Sequence, residues 1–67
     1  MTLKDKLNDR DILWLDYLAK GYQSNEIAEK LSVSRVTVDD SIARLLLKMG
    51  ARNRIQAVAM ATKKRLI

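Results

Sequence analysis

Apolar residues recur along the chain at intervals of three and four, the spacing that an α-helix places on one face. In the first such stretch they are Ile12, Leu15, Leu18 and Ala19. Asn8 precedes this stretch and is a favourable N-cap, and Gly21 follows it and can adopt the left-handed conformation that ends a helix. We therefore predict a first helix between Asn8 and Gly21.

A short second helix is predicted in the segment SNEIAEKL, with Ser24 as its cap. Its inner face consists of Ile27, Ala28 and Leu31. The segment SVS that follows is expected to form a turn of about three residues, with Val33 buried between two helices.

The third predicted helix covers residues 35–49, with Ser34 as N-cap and Gly50 as its stop. One stripe of this helix is apolar and is expected to face the core: Val38, Ile42, Leu45 and Met49. At about 100° per residue, the opposite side carries a mixed apolar and acidic set: Val36, Asp40, Ala43 and Leu47. Asp39 and Arg44 flank that outer side.

A fourth helix is predicted to start near Asn53 and to cover RIQAVAMATKKR. This segment is apolar around more than one face. We assign one set of residues to the core: Ile55, Val58, Ala59 and Thr62. The remaining set is expected to point outward, with the small pair Ala57 and Ala61 allowing a second helix to approach closely: Ala57, Met60, Ala61 and Lys64.

These elements predict an all-α fold, a small four-helix bundle that contains a helix-turn-helix. The 67 residues form one domain, 1–67, with a core at 7–63. Pro is absent, and no run of alternating Val, Ile and Thr suggests a strand. A generic four-helix domain without the helix-turn-helix function is the alternative that spacing alone leaves open.

Charge and composition narrow the function classes. The net charge is +5, and the seven Lys or Arg in residues 42–67 are accompanied by no acid. This asymmetry is compatible with nucleic acid or an acidic partner, or simply with solubility. Without His or Cys, the chain lacks the usual general base and metal ligands, so we expect no enzyme activity, no metal and no cofactor. No apolar run approaches the length of a membrane span or signal peptide, which predicts a cytoplasmic protein.

Several short motifs resemble the DNA-binding domain of LuxR-type regulators, the GerE/NarL-like group. The family's opening Leu, cap, any residue, Arg-Glu stands here as LNDRD, residues 7–11, and its Ala-x-Gly stands as AKG, residues 19–21. Its Glu-Ile-Ala-x-x-Leu is matched by EIAEKL, residues 26–31, and its Ser-x-x-Thr-Val by SRVTV, residues 34–38. Its Lys-Leu-Gly and Asn-Arg stand as KMG, residues 48–50, and NR, residues 53–54. The resemblance runs without gaps from Leu7 to Ala61.

The resemblance implies four helices, with the third lying in the major groove of double-stranded DNA and the fourth forming a homodimer contact. It implies a transcriptional regulator without enzymatic activity. A separate sensory domain is often attached in this family, so the chain is either a stand-alone small regulator or an excised domain. The implied dimer contact is expected on the outward set of the fourth helix: Ala57, Met60, Ala61 and Lys64.

The chain departs from the family pattern where the third helix would meet DNA. Asn25 replaces a usual Lys, and Asp39, Asp40 and Ser41 stand where a basic residue, a variable residue and often His are found. Carboxylates repel phosphates, although an Asp can accept a hydrogen bond from cytosine N4, and Val36 or Ala43 can touch a thymine methyl. Alternatively, these aspartates are merely solvated, or this face binds a protein.

Two hypotheses therefore stand together. The first is a DNA-binding regulator, and the second is a protein-interaction module that binds and inhibits a related regulator or another protein. The DNA-binding candidates are Ser24, Asn25, Ser34, Arg35, Val36, Thr37, Asp39, Asp40, Ala43, Arg44, Lys48 and Arg54.

Overall fold

The computed structural model describes residues 3–67, apart from the side chain of Lys4. Its elements, in chain order, are α1 Leu3–Lys6, α2 Asp9–Ala19, α3 Ser24–Leu31, α4 Arg35–Met49 and α5 Arg54–Lys63. The predicted all-α fold is confirmed, and no strand occurs within residues 3–67. Four of the helices are those predicted, and the single turn α1, which packs near α4, was not. None of the helices in this described range is long and apolar enough to cross a membrane.

Side-chain caps explain where most of the helices begin. The predicted caps Asn8 and Ser34 are confirmed, and Asn53, near which the fourth helix was predicted to start, is a cap as well. In all three, a side-chain oxygen accepts the backbone N–H three residues later. The predicted cap of α3 is wrong, because Gln23 occupies the cap position and Ser24 is the first helical residue. The backbone N–H of Gln23 donates to the Glu26 carboxylate at 2.9 Å. This bond places the N-cap of α3 at Gln23, one residue before Ser24, which the preference of Ser for cap positions had suggested.

The helices from α2 to α5 all end in the same way, with a residue in the left-handed conformation just past the helix. After α2 and α4 this residue is a glycine, Gly21 with φ 85° and Gly50 with φ 71°. After α3 and α5 it is Ser32 with φ 55° and Arg65 with φ 57°. The two non-glycine positions are strained, because a Cβ crowds the backbone in this conformation.

The core is one cluster of apolar side chains from α2 to α5. Its buried members are Trp14, Leu15, Leu18, Ile27, Ala28, Val38, Ile42, Leu45, Met49, Ala57 and Ala61. The predicted α4 stripe is confirmed, since all four of its members are buried. Helix α3 packs on α4 through a short turn, the helix-turn-helix arrangement. Val33 in that turn is half-buried against the core rather than fully enclosed.

The rotation predicted for α5 is wrong. Ala57 and Ala61, assigned to an outward dimer face, are both fully buried, whereas Ile55, assigned to the core, is 78% exposed. The small side chains lie inward because α5 packs against both α2 and α4. Ala57 and Ala61 are therefore part of the core, not of an interface; of the predicted outward set, Met60 is half-buried and Lys64 is exposed.

The left-handed helix ends allow a paired stability prediction. Gly50→Ala should lower the free energy of unfolding by about 1 kcal/mol, because an alanine Cβ is strained at positive φ. The added Cβ would meet no atom within 4 Å, so the destabilisation comes from the backbone alone. Ser32→Gly should raise stability by about 0.5 kcal/mol, since relieved strain exceeds the extra flexibility of glycine in the unfolded chain.

Urea denaturation followed by circular dichroism measures both changes. If the two variants shift the midpoint in the same direction, this explanation of the helix ends is wrong.

Candidate nucleic-acid interface

The side of α4 that faces away from the core forms an exposed ridge, which we define by Val36, Asp40, Ala43 and Leu47. Val36 is 75% exposed and Leu47 is 84% exposed, and these are the two exposed large hydrophobic side chains of α4. Asp40 and Ala43 are exposed as well. Four predicted DNA-binding residues thus lie on or beside one continuous surface: Val36, Asp39, Asp40 and Ala43.

Asp40 on the ridge and Asp39 beside it each pair with an arginine one turn away along the helix. Arg35 Nε lies 3.7 Å from Asp39 Oδ2, and Arg44 Nη2 lies 3.8 Å from Asp40 Oδ2. Each pair is neutral as a whole, so the charge of Asp40, the one charged residue of the ridge, is balanced by Arg44 beside it. All four side chains are more than half exposed, and such surface pairs contribute only about 0–1 kcal/mol each. The arginines are therefore easily released toward a stronger anion.

A first cleft, of about 370 Å³, lies on one side of α4. It is lined by Leu18, Gly21, Tyr22, Gln23, Ser24, Asn25, Arg35 and Arg54. The start of α3 opens into it, where backbone N–H groups and the helix dipole favour an anion. No acid is among the lining residues, and two arginines are: Arg54, which forms no salt bridge within residues 3–67, and Arg35, which is weakly paired with Asp39. Four predicted DNA-binding residues line this cleft: Ser24, Asn25, Arg35 and Arg54. Of the two that belong to α3, Asn25 is exposed and Ser24 is buried.

A second cleft, also of about 370 Å³, lies on the opposite side of α4, between α4 and α2. Its lining residues are Arg10, Asp11, Trp14, Thr37, Ser41, Arg44, Leu45 and Lys48. Three of these are cations, but Arg44 is paired with Asp40 and Lys48 with Asp11. Arg10 is the cation of this cleft that forms no salt bridge within residues 3–67. The Thr37 hydroxyl lies 2.8 Å from that of Ser34, which also caps α4.

Lys48 forms an ion pair with Asp11. Its Nζ donates to Asp11 Oδ2 at 2.7 Å, and the same carboxylate oxygen accepts the Asn8 backbone N–H at 3.1 Å. The Asp11 side chain is only 13% exposed. This ion pair joins the start of α2 to the end of α4, so much of the Lys48 charge is already neutralised within the protein.

The structure adds three residues that were absent from the predicted site. Arg10 lines the second cleft, Gln23 lines the first, and Leu47 extends the ridge. The exposure of Leu47 could be predicted from its helical position opposite the core stripe. The positions of Arg10 and Gln23 beside α4 depend on tertiary packing, so no local sequence signal reveals these positions. Within residues 3–67, no three carboxylate, imidazole or thiol side chains cluster in a way that could hold a metal ion.

A helix-turn-helix whose second helix is exposed between two cationic clefts defines a class of regulatory domain. Residues 5–61 match the family model described as bacterial regulatory proteins, luxR family, and the chain belongs to this family. It is similar to the oxygen regulatory protein NreC of Staphylococcus aureus strains JH9 and USA300, at 39% identity over 61 residues. The match covers 91% of this chain and 28% of NreC, so the chain spans less than a third of that relative. No solved structure gives a significant match.

The geometry predicts different roles for two cations of α4. Lys48→Met should lower the free energy of unfolding by about 1–2 kcal/mol, between the values for exposed and buried pairs, because it leaves the Asp11 carboxylate without its ammonium partner. Arg44→Met, the matched control on an exposed pair, should change it by less than about 0.5 kcal/mol.

Chemical denaturation of both variants tests this difference. Equal stabilities of the two variants would mean that the Lys48–Asp11 pair contributes no more than a surface pair.

Proposed function

We propose that this chain binds double-stranded DNA by placing α4 in the major groove and that it acts in transcriptional regulation. One observation carries the proposal: the exposed ridge of α4 runs between two clefts, each lined by an arginine that forms no salt bridge within residues 3–67, Arg54 in the first cleft and Arg10 in the second. The major groove has the complementary cross-section, with phosphates on its two rims and base edges on its floor. Membership of the luxR family of regulatory proteins supports the same mode of binding.

The phosphate contacts are proposed to come from the clefts. In the first cleft, Arg35, Arg54 and the backbone N–H groups at the start of α3 would hold one strand. In the second, Arg10 and Arg44 would hold the other. Releasing Arg35 and Arg44 from their aspartates requires little energy, since exposed pairs contribute about 0–1 kcal/mol, and a phosphate contact can replace that energy. The aspartates therefore weaken DNA binding without preventing it.

The proposed dimer uses a different part of α5 from the one predicted. With Ala57 and Ala61 in the core, the exposed side of α5 carries Ile55, Ala59 and Thr62. Ile55 borders a shallow apolar cleft of about 190 Å³ lined also by Leu18, Arg54 and Val58. A second copy related by two-fold symmetry would bury Ile55 in an isologous contact and present two α4 helices to successive half-sites. The contact is small, so monomers are expected to dominate in the absence of DNA.

The direct test is selection of bound sequences from random duplex DNA with the purified protein. The proposal predicts enrichment of a short motif, two-fold symmetric where the dimer binds, and an affinity that falls steeply with salt. Recovery of no enriched sequence, together with no binding at low salt, would refute it. Because the proposed partner is genomic DNA of a bacterium, the proposed site of action is the cytoplasm.

One observation favours a second candidate function. Val36 and Leu47 are strongly exposed aliphatic side chains on a ridge whose one charged residue, Asp40, is paired with Arg44, a surface that also suits a protein partner. In this alternative the chain binds and inhibits a related regulator or another protein. The same selection separates the two functions, because a protein-binding module enriches no DNA motif.

Removing the two arginines of the first cleft tests the phosphate contacts. Arg35→Ala with Arg54→Ala should weaken binding to all duplexes about equally, because phosphate contacts carry no sequence information. The slope of log affinity against log salt should fall by about 0.9 for each phosphate that is no longer neutralised.

The control is Lys63→Ala, which removes a cation from the C-terminal end of α5, whereas Arg54 lies at the start of that helix. A salt slope that is the same in the folded double variant and in wild type would remove the first cleft from the interface.

The revised dimer contact is tested at Ile55. Ile55→Glu places a charge at the centre of the proposed contact, while the monomer fold should persist because this side chain is exposed. Self-association in sedimentation and binding to a duplex with two half-sites should both decrease, and binding to a single half-site should not.

Leu13→Glu is a control, because Leu13 is an exposed apolar residue on α2, 42% accessible. If Ile55→Glu and Leu13→Glu give the same sedimentation and two-site binding as wild type, the α5 contact is wrong.

A further inference from the structure

The chemistry of the ridge limits what it can recognise in DNA. Val36, Ala43 and Leu47 offer only hydrocarbon, and Asp40 offers only acceptor oxygens. The commonest specific contact in the major groove, a bidentate Arg or Lys to guanine, has no candidate on the ridge itself. Arg35 and Arg44 lie beside the ridge and line the two clefts, which places them toward the phosphate rims rather than the groove floor.

The only alkyl group that the four standard bases present in the major groove is the C5 methyl of thymine. We infer that the ridge recognises DNA through thymine methyl groups, so that their presence determines a large part of the sequence-specific affinity. This inference rests on the proposed function and names the chemical feature that the same site selects. It differs from a general basic interface, in which phosphate contacts supply the affinity and the methyl groups contribute nothing.

The spacing of the ridge indicates how many base pairs are involved. Val36 and Leu47 are eleven residues apart, which corresponds to about 16 Å along the helix. At about 3.4 Å per base step along the DNA axis, a helix that lies in the groove over this length faces at most about five base pairs. Asp40 lies between the apolar residues and can accept a hydrogen bond from an amino group, most suitably cytosine N4. The expected half-site therefore has thymines on both sides of a central amino-bearing base.

Burial explains why the contact is favourable. The exposed Val36 and Leu47 leave apolar surface in water in the free protein, and thymine methyls do the same in free DNA. Bringing them together removes both surfaces from water. From the free energy of burying one methyl-sized group, each methyl contact should change the affinity about fourfold. Two such contacts should give about a tenfold or larger effect.

The test removes only the methyl groups from the DNA. The pool of duplexes that the protein selects from random sequence is amplified either with dTTP or with dUTP, which keeps the base pairing and deletes every C5 methyl. Binding of the full chain to the two pools is compared at one salt concentration. The inference predicts that the thymine pool binds about tenfold more tightly than the uracil pool.

A ridge variant assigns the effect to these side chains. Val36→Ser with Leu47→Gln should reduce the preference for thymine over uracil to nearly one, and the fold should persist because both residues are exposed. Leu13→Gln, on another exposed surface, should keep the full preference. Circular dichroism verifies that all the variants are folded.

The outcomes are distinct. Equal binding of both pools by wild type, or a preference that survives in the ridge variant, overturns the inference and leaves DNA binding intact. Absence of binding to any duplex removes the proposed function and the inference with it.

Discussion

Burial of one stripe of α4 determines which side chains of that helix reach the molecular surface. Val38, Ile42, Leu45 and Met49 are each at most 5% exposed. Burying such a side chain contributes about 1.5–3 kcal/mol, so rotating α4 to hide Val36 and Leu47 would expose four buried residues in order to bury two. The helix cannot relieve the exposure of its outer face. Because side chains repeat at about 100° per residue, the core stripe fixes the ridge on the opposite side.

The elements that the sequence predicts well are those with a local chemical cause. Asn8, Ser34 and Asn53 bond to the backbone three residues away, and Gly21 and Gly50 permit a left-handed φ, so neighbouring residues suffice to define these ends. The rotation of α5 has no such cause. Its apolar residues surround the helix, and the choice between burying Ile55 or the two alanines depends on how closely α5 approaches α2 and α4. That distance is a property of the assembled core and cannot be deduced from the α5 segment alone.

The same distinction between local causes and tertiary packing applies to the candidate site. The ridge followed from helical periodicity within a single element, including the exposure of Asp40. The clefts did not, because each joins residues that are far apart in the chain: Gly21 with Arg54 on one side, and Arg10 with Arg44 on the other. Lys48 shows the consequence of such a tertiary contact. Its sequence position suggests a free cation for phosphate, whereas its charge lies 2.7 Å from Asp11, 37 residues away.

The two aspartates then have a consistent physical explanation within the proposed DNA complex. Each one cancels an arginine in the free protein and repels phosphate in any complex, which lowers affinity for every sequence alike. Contacts from the ridge to base edges are made only with a matching site. When the phosphate contacts contribute less to the binding free energy, contacts to the base edges contribute a larger share of it. The ratio of specific to non-specific binding determines occupancy among many competing sites. In the proposed complex Asp39 and Asp40 would therefore favour discrimination over affinity, while Arg10 and Arg54, which form no salt bridge within residues 3–67, would supply attraction to the phosphates.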